Sequence, residues 1–175
     1  VRRLSDSALL VMQELAPATL QSCHLGVLSG HDLLIVLQVD SPLPMRYSVV
    51  LGAKFDFAEA SAGAVIYALS PEPVRRRLDA WMQAEGRPQE EILRLAERAE
   101  RIRADGMEMR ESLAVSGVTN IAVPVFDHMG HVVAAMTVPY MPQRAATVPL
   151  DRVRDLACAA AQVISANLGA RGEGR

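Results

Sequence analysis

The stretch of sequence that decides the fold is TNIAVPVFDHMGHVVAAMTV, residues 119–138. Two apolar runs of strand length flank the segment DHMG, whose Asp and Gly residues are typical of a tight turn. The pattern therefore predicts a β-hairpin. Because side chains alternate between the two faces of a strand, the residues expected to pack together on helices are Ile121, Val123, Val125, Val132, Ala134, Met136 and Val138.

The other face of this hairpin carries mostly small or polar side chains. Its members are Asn120 and Ala122 on the first strand, and Val133, Ala135 and Thr137 on the second. Small side chains on a sheet face leave a hollow, and a few polar groups in a hollow can orient a ligand. We therefore expect this face to line a binding site.

A short alternating segment, MEMRE at residues 107–111, adds a strand with one charged face. Arg110 would lie on the same face as the polar hairpin residues, where its guanidinium could bind a carboxylate through two hydrogen bonds. The alternative is an ion pair of Arg110 with Glu108, with Glu111 or with the charged helix predicted at 88–106.

A helix start with almost no side chains occurs at FAEASAGAVIYAL, residues 57–69. A helix begins with unpaired backbone N–H groups at the positive end of its dipole. Around Ser61, Ala62 and Gly63 a carboxylate could approach the backbone itself. The alternative is that these small residues only permit close packing of the helix on the sheet.

The rest of the chain alternates between helical and strand patterns. The segments with helical spacing of apolar residues are 4–16 (ending at Pro17), 70–86, 88–106 and 150–169, and those with strand patterns are a hairpin at 23–39 and a single strand at 45–51. Strands separated by a helical block indicate an α+β fold, with a largely antiparallel sheet of about five or six strands flanked by helices. We expect one domain over residues 1–169 and a disordered tail at 170–175.

Composition limits the classes of function. The chain has 175 residues, of which 50% are apolar, and its net charge is −2, so no overall charge favours nucleic acid or an anionic membrane. There is no apolar run of about 18 residues and no signal-peptide pattern, so we expect a cytoplasmic protein. Cys23 and Cys158 are interpreted as reduced thiols. The start at Val1 suggests a fragment of a longer protein.

The sequence carries no motif of a known catalytic or metal site. It lacks a glycine-rich phosphate loop, a nucleophile elbow and a metalloprotease helix. Cys23 and His24 are neighbours on a predicted strand and would point to opposite faces, so they are poorly placed to share a proton. His128, Met129 and His131 could form a metal clip, but a solvated turn is the simpler interpretation. We therefore predict no enzyme, no metal and no cofactor.

The order of these motifs resembles the C-terminal effector-binding domain of IclR-type bacterial transcriptional regulators. The resemblance runs from about Leu4 to Gly169. Its carrying pieces are MQELA, CHLGVLSGHDLLIVLQVDSP, LGAKFDFAEASAGAVIYALSP and RIRADGMEMRESLAVSGVTNIAVPVFDHMGHVVAAMTV, followed by the long closing helix.

The resemblance implies a GAF-like α+β domain that binds a small organic effector and forms homodimers or homotetramers. It implies that DNA is read only by an N-terminal winged helix-turn-helix domain, which is absent from this chain. By motif position it places the effector pocket at Ser61, Ala62, Gly63, Arg110, Asn120 and Thr137.

Three positions depart from the family pattern. Ala64 stands where many relatives have lysine, and Leu113 and Arg110 each stand where relatives commonly have an acidic residue. An arginine there favours an anionic effector, such as an organic acid. The alternatives are a GAF-like sensor module with another output, or an enzyme on the same scaffold that uses Cys23.

Overall fold

A computed structural model describes residues 2–170. Within them the chain forms five helices and six strands. They are α1 (Arg2–Thr19), β1 (Cys23–Ser29), β2 (Asp32–Val39), β3 (Lys54–Asp56), α2 (Ser61–Leu69), α3 (Glu72–Ala84), α4 (Gln89–Asp105), β4 (Glu108–Glu111), β5 (Thr119–Phe126), β6 (Val132–Tyr140) and α5 (Leu150–Asn167). None of these helices combines the length and the apolar character needed to cross a membrane.

The strands form one antiparallel sheet in the order β3-β2-β1-β6-β5-β4. Two hairpins, β1–β2 and β5–β6, are joined at the centre of the sheet, where β1 pairs with β6 and His24 lies opposite Thr137. The predicted α+β class and the two predicted hairpins are therefore confirmed.

The two faces of the sheet bury separate cores. Helices α1 and α5 cover one face, where Met12, Leu25, Met136 and Ile164 are fully buried. Helices α2, α3 and α4 cover the other face, and the residues buried there include Phe57, Val65, Leu78, Met82 and Ile102. The alternation predicted for β5 and most of β6 is confirmed, because Ile121, Val123, Val125, Ala134, Met136 and Val138 all belong to the first core.

A β-bulge reverses the predicted alternation at the start of β6. Val125 pairs with Ala134, whereas Phe126 pairs with Val132, so Val133 is an extra residue in the ladder. As a result Val132 packs toward α2–α4 and Val133 packs toward α1 and α5. The predicted faces of these two valines were therefore wrong, because an inserted residue shifts the period of two.

The strand predicted at 45–51 does not form. Its apolar residues Met45, Val50 and Leu51 are exposed. The backbone groups of Ile35 are instead taken by the next residues, since Gly52 N donates to Ile35 O at 2.9 Å and Ile35 N donates to Ala53 O at 3.0 Å. Gly52 has φ +82, a conformation that glycine adopts without strain, and pairing with β2 starts after it.

The first helix continues past Pro17 to Thr19. Pro17 removes one hydrogen bond of the last turn, and the helix ends two residues later, where the Thr19 hydroxyl bonds to Leu15 O at 2.9 Å. The predicted end at Pro17 was therefore wrong by two residues. Of the predicted tail, residues 171–175 lie outside the described part of the chain.

Candidate functional site

The start of α2 presents three buried backbone donors. Within residues 2–170, the N–H groups of Ser61, Ala62 and Gly63 have no acceptor, and the first bond of the helix runs from Ala64 N to Ala60 O at 3.0 Å. Ala60 caps the helix with extended backbone and no side-chain hydrogen bond. Buried N–H groups almost always have a partner in proteins, so water or a ligand is expected here.

Gly63 allows close packing of α2 against the preceding loop. The pattern of small residues in the sequence does not distinguish this role from access of a ligand to the backbone. A Cβ atom on Gly63 would lie 2.2 Å from Phe57 O and 2.6 Å from Phe57 Cα. The helix therefore crosses the backbone of the preceding loop at a distance that only glycine permits. Close packing explains the glycine, while its N–H group stays without an acceptor among the described residues.

A row of residues crosses five strands on the face that α2–α4 cover. The register pairs Gln38 with His24, His24 with Thr137, Thr137 with Ala122, and Ala122 with Glu108. We call Gln38, His24 and Thr137 the polar row.

Three side-chain atoms of the polar row are buried without a partner. They are Gln38 Oε1, His24 Nδ1 and Thr137 Oγ1. His24 is only 7% exposed and Thr137 only 3%. An unpaired buried polar atom costs free energy, so we expect water or a ligand to pair with these three atoms in adjacent strands.

The polar row carries no positive charge at neutral pH. Burial lowers the pKa of His24 to about 4, so its imidazole is neutral at pH 7. The Gln38 amide is oriented by its Nε2 atom, which donates to Val39 O and to Asp40 Oδ1, each at 3.2 Å. Its Oε1 atom is thereby fixed as an acceptor.

Arg110 and Asn120 lie opposite each other at the β4 end of the same face. The ion pair of Arg110 with Glu108, considered from the sequence, does not form, because Arg98 of α4 takes that carboxylate through Nε–Oε1 and Nη2–Oε2 contacts of 2.5 and 2.7 Å. Among the described residues, Arg110 has no ion-pair or hydrogen-bond partner for its guanidinium. Burial and then the nearby Arg98 guanidinium lower the pKa of Arg110, while the nearby Glu108 carboxylate acts in the opposite direction.

The predicted site residues fall into two groups: one lines an open groove, and the other lies in the interior or outside that groove. Arg110 lines an open groove of about 710 Å³ between α4 and the edge strand β4, together with Glu108 and Arg98. Ser61, Ala62, Gly63, Asn120 and Thr137 are not among the lining residues of this groove. The helix start and Thr137 lie in the interior instead, so the predicted residues share one side of the sheet but not one open cavity.

Two residues of the polar row were missed in the sequence. His24 was considered only as a partner for Cys23, and Gln38 was not singled out. The signal in the sequence was one polar residue within an otherwise apolar strand. His24 is that residue in CHLGVL, and Gln38 is that residue in LLIVLQV. Only the pairing of β1 with β6 brings both beside Thr137.

The other groups with reactive side chains do not form a site. Cys23 points toward α1, where its Sγ lies 3.8 Å from Met12 O, and burial raises its pKa to about 12. In the turn at 127–131, Asp127 Oδ1 accepts from Met129 N and His131 N at 2.8 and 3.0 Å, as in a solvated turn. The described residues contain no cluster of three or more His, Cys, Asp or Glu side chains that could hold a metal.

Comparisons with known proteins agree with this architecture. The sequence model of the family described as bacterial transcriptional regulator IclR C-terminal matches residues 2–166. The HTH-type transcriptional regulator KdgR of Escherichia coli K12 is 25% identical over 169 residues, which are 95% of this chain and 64% of KdgR. The chain therefore spans less than two thirds of the length of this relative.

Solved structures show the same fold. HmgR of Pseudomonas aeruginosa superposes with a TM-score of 0.78 at 24% identity, over 97% of this chain and 68% of that one. An IclR homologue of Microbacterium hydrocarbonoxydans, solved in complex with 4-hydroxybenzoate, gives 0.77 at 18% identity, over 95% and 68%. At these identities the likeness shows the fold alone. With the family match over residues 2–166, it confirms the resemblance in the sequence: the chain belongs to the family of C-terminal domains of bacterial IclR transcriptional regulators.

Proposed function

We propose that this domain binds a small organic anion as an effector and passes the binding event to a DNA-binding module of the same protein. The observation that carries the proposal is the set of three buried N–H groups without acceptors at Ser61, Ala62 and Gly63. They lie at the positive end of a helix dipole, which favours a carboxylate.

The sheet opposite this helix start supplies further contacts. Helix α2 packs across β6, β5 and β1, which carry Thr137, Asn120 and His24. A carboxylate oxygen accepts hydrogen bonds, and the hydroxyl of Thr137 and the amide of Asn120 can donate them. Binding of 4-hydroxybenzoate by the Microbacterium homologue supports a carboxylate as the effector group.

The charge balance of the region also favours an anion. Arg110 is partly buried beside Arg98, whose charge is already matched by Glu108. A bound anion would add a negative charge beside Arg110, which makes no direct ion pair or hydrogen bond among the described residues because Arg98 holds the Glu108 carboxylate. Because His24 is neutral at pH 7, the helix dipole is the positive element at the start of α2, and Arg110 adds a positive charge in the separate open groove between α4 and β4.

We further propose that the output is transcriptional control by an oligomer. Relatives named as transcriptional regulators are longer than this chain, and a DNA-binding domain outside it would read the operator. Ligand binding would shift an equilibrium between two arrangements of those domains. We expect a homodimer or homotetramer that acts in the cytoplasm without a cofactor, and light scattering at increasing concentration would contradict this if it reported only monomer.

Isothermal titration with matched acids and amides tests the proposed ligand class. The pairs are benzoate with benzamide and 4-hydroxybenzoate with 4-hydroxybenzamide. If the carboxylate lies on the N–H groups of α2, at least one acid binds and its amide binds much more weakly, since the amide lacks the negative charge. Equal binding of acid and amide, or no binding of any acid together with no acid in the mass spectrum of the purified protein, would contradict the proposal.

Replacement of Arg110 tests its part in the site. We predict that Arg110→Ala weakens the binding of an acid that binds the parent by about 1.5–3 kcal/mol, because a charge-assisted hydrogen bond is lost. Titration calorimetry measures the difference. The matched control is Arg77→Ala, an exposed arginine on α3, which should leave the affinity unchanged. An unchanged affinity of Arg110→Ala would remove this residue from the site.

A further inference from the structure

We infer that the loop between β3 and α2, residues 57–60, is a strap that separates the start of α2 from the open groove, and that Arg87 is the positioning residue that latches this strap. The part of the strap in effector entry rests on the proposed function, because it assumes that a ligand binds at the helix start. The latch itself is a property of the ligand-free chain and can be tested without a ligand.

The strap has one side in the groove and the other side on α2. Residues 58–59 line the open groove. The backbone of Phe57 lies against Gly63, where an added Cβ atom would be 2.2 Å from Phe57 O. Ser61 and Ala62, whose N–H groups have no acceptor among the described residues, are only 7% and 2% exposed. An effector that comes from the groove therefore reaches these donors only when the strap moves.

The part of the strap that can move is short. Phe57 is fully buried and anchors the first residue of the strap in the core under α2–α4. Residues 58–60 are half-buried or exposed, so they can leave the groove wall without uncovering that core. Local opening of this kind needs only the contacts of the segment to break, and the sheet stays intact.

Arg87 and Arg98 hold the strap through hydrogen bonds. Arg87, in the turn between α3 and α4, donates from Nη1 to Asp56 Oδ1 at 3.1 Å and from Nη2 to Asp56 Oδ2. Asp56 Oδ1 also accepts from Ala58 N at 2.9 Å, so the two-pronged contact with Arg87 orients the carboxylate that holds the strap. Arg98 Nη1 donates to Ala58 O at 2.8 Å.

Of these two arginines, Arg87 is the one that can act as a latch. Arg98 also pairs with the buried carboxylate of Glu108, so its loss would destabilise the fold as a whole. Arg87 has no such second task, and its Cζ atom lies 4.9 Å from the centre of the Trp81 ring. Phe57 of the strap packs on the same ring at a centroid distance of 6.2 Å. Since Trp81 is the only tryptophan of the chain, its fluorescence reports on the latch and the strap.

Hydrogen exchange of the ligand-free chain tests the latch. The chains compared are the parent, Arg87→Met and the control Arg103→Met, whose arginine donates to Ala68 O at the other end of α2 at 3.0 Å. We expect Arg87→Met to speed the exchange of the amides of residues 58–63 about tenfold or more, with β6 unchanged, because only local opening becomes easier. The control should leave residues 58–63 as in the parent. No acceleration in Arg87→Met, or the same acceleration throughout the sheet, would overturn the inference.

A second variant shows whether Arg87 acts through Asp56. Asp56→Asn keeps an acceptor for Ala58 N but removes the charge that pairs with Arg87. It should speed the exchange of residues 58–63 to a similar extent, and the double variant should be no faster than either single one, because both changes break one interaction. Additive accelerations would contradict a latch formed by this pair. Asp56→Asn also decides the question if Arg87→Met fails to fold.

Binding kinetics test the part of the strap in effector entry. The probe is 4-hydroxybenzoate, followed by stopped-flow fluorescence of Trp81. In Arg87→Met we expect the association and dissociation rates both to rise about fivefold or more while the dissociation constant changes less than about twofold, because a strap that closes over the free and the bound site limits both rates alike. A weaker affinity with an unchanged association rate would show that Arg87 contacts the acid and would overturn its role as a latch.

The two experiments separate this inference from the proposed function. If 4-hydroxybenzoate and the other acids do not bind, the proposed function is contradicted, and hydrogen exchange alone decides whether Arg87 latches the strap. If an acid binds but its association rate is the same in the parent and in Arg87→Met, the strap is not the entry to the site, while the proposed ligand class stands.

Discussion

The two faces of the central sheet differ in how many of their buried polar groups have a hydrogen-bond partner. The face toward α1 and α5 is covered by apolar side chains such as Met136, Ile121 and Ile164, which are fully buried. The face toward α2–α4 contains an apolar core as well, but it also contains the polar row and a helix start with three free donors. The first face stabilises the fold, whereas the second holds polar groups whose burial costs stability unless a ligand pairs with them.

The largest effect should come from the buried ion pair that joins α4 to β4 on the second face. Arg98 and Glu108 are only 7% and 9% exposed at their side chains. We predict that Arg98→Met lowers the free energy of unfolding by about 3–5 kcal/mol, because it leaves the Glu108 carboxylate buried without a partner. Urea denaturation measures the loss. The control is Arg76→Met, whose partner Glu72 is on the surface and whose removal should cost less than about 1 kcal/mol.

The next effect tests the face toward α1 and α5. We predict that Met136→Ala costs about 2–5 kcal/mol of unfolding free energy, since it removes a fully buried side chain and leaves a cavity. The control Met129→Ala, at a position that is 67% exposed in the hairpin turn, should change stability little. A loss in Met136→Ala no larger than in the control would contradict the assignment of this face as the main apolar core.

The pH dependence of stability tests the neutral state of His24. Its pKa is lowered by burial from about 6.5 to about 4, so the unfolded chain binds a proton first as the pH falls. Neutral His24 therefore makes its full contribution to the free energy of unfolding above pH 6.5, and this contribution is lost as the pH falls to 4. Between pH 7 and pH 5 we predict that the free energy of unfolding falls by about 2 kcal/mol. Denaturation of the ligand-free protein at both values measures it.

The control for this prediction is His24→Gln, which removes the titrating group. It should show a much smaller drop between pH 7 and pH 5. Hydrogen bonds from Ser48 and Gln38 lower the pKa of Asp40, so that carboxyl takes up its proton below this window. An equal drop in parent and variant would mean that His24 is not kept neutral by the fold.

The smallest predicted change in stability gives the most specific test of the difference between the two faces. We predict that Thr137→Val leaves the stability of the ligand-free protein unchanged or raises it by up to about 1 kcal/mol, because the removed hydroxyl has no partner. The control is Thr19→Val, whose equally buried hydroxyl bonds to Leu15 O at 2.9 Å and whose loss should cost about 1 kcal/mol. Equal losses in both variants would indicate that Thr137 is satisfied without a ligand.

Much of the fold could be predicted from local pattern. The hairpin at 119–138, the helix that starts at Ser61 and the common face of Arg110, Asn120 and Thr137 all follow from periods of 2 and 3.6 residues. The misplaced strand at 45–51 shows the limit of that pattern. Its residues have strand character, but a strand needs partner backbone groups, and those of Ile35 are used by Gly52 and Ala53.

The candidate site could be predicted only in part. The small residues at the helix start indicated Ser61, Ala62 and Gly63 as candidates. This pattern could not show that Gly63 also packs against the Phe57 backbone. The partner of Arg110 was undecided as well. It depends on the docking of α4, which presents Arg98 to the Glu108 carboxylate and leaves Arg110 in the groove.

The sequence by itself determined which side chains alternate and where the helix with free donors begins, because both are set by bonds between residues close in the chain. Only the tertiary structure decided that Gln38, His24 and Thr137 form one row, since β1 pairs with β6 across more than a hundred residues of chain. It also decided that the bulge at Val133 turns Val132 to the other face. Pairing and bulges depend on how the whole sheet packs between its helices, and no local period of the sequence encodes that packing.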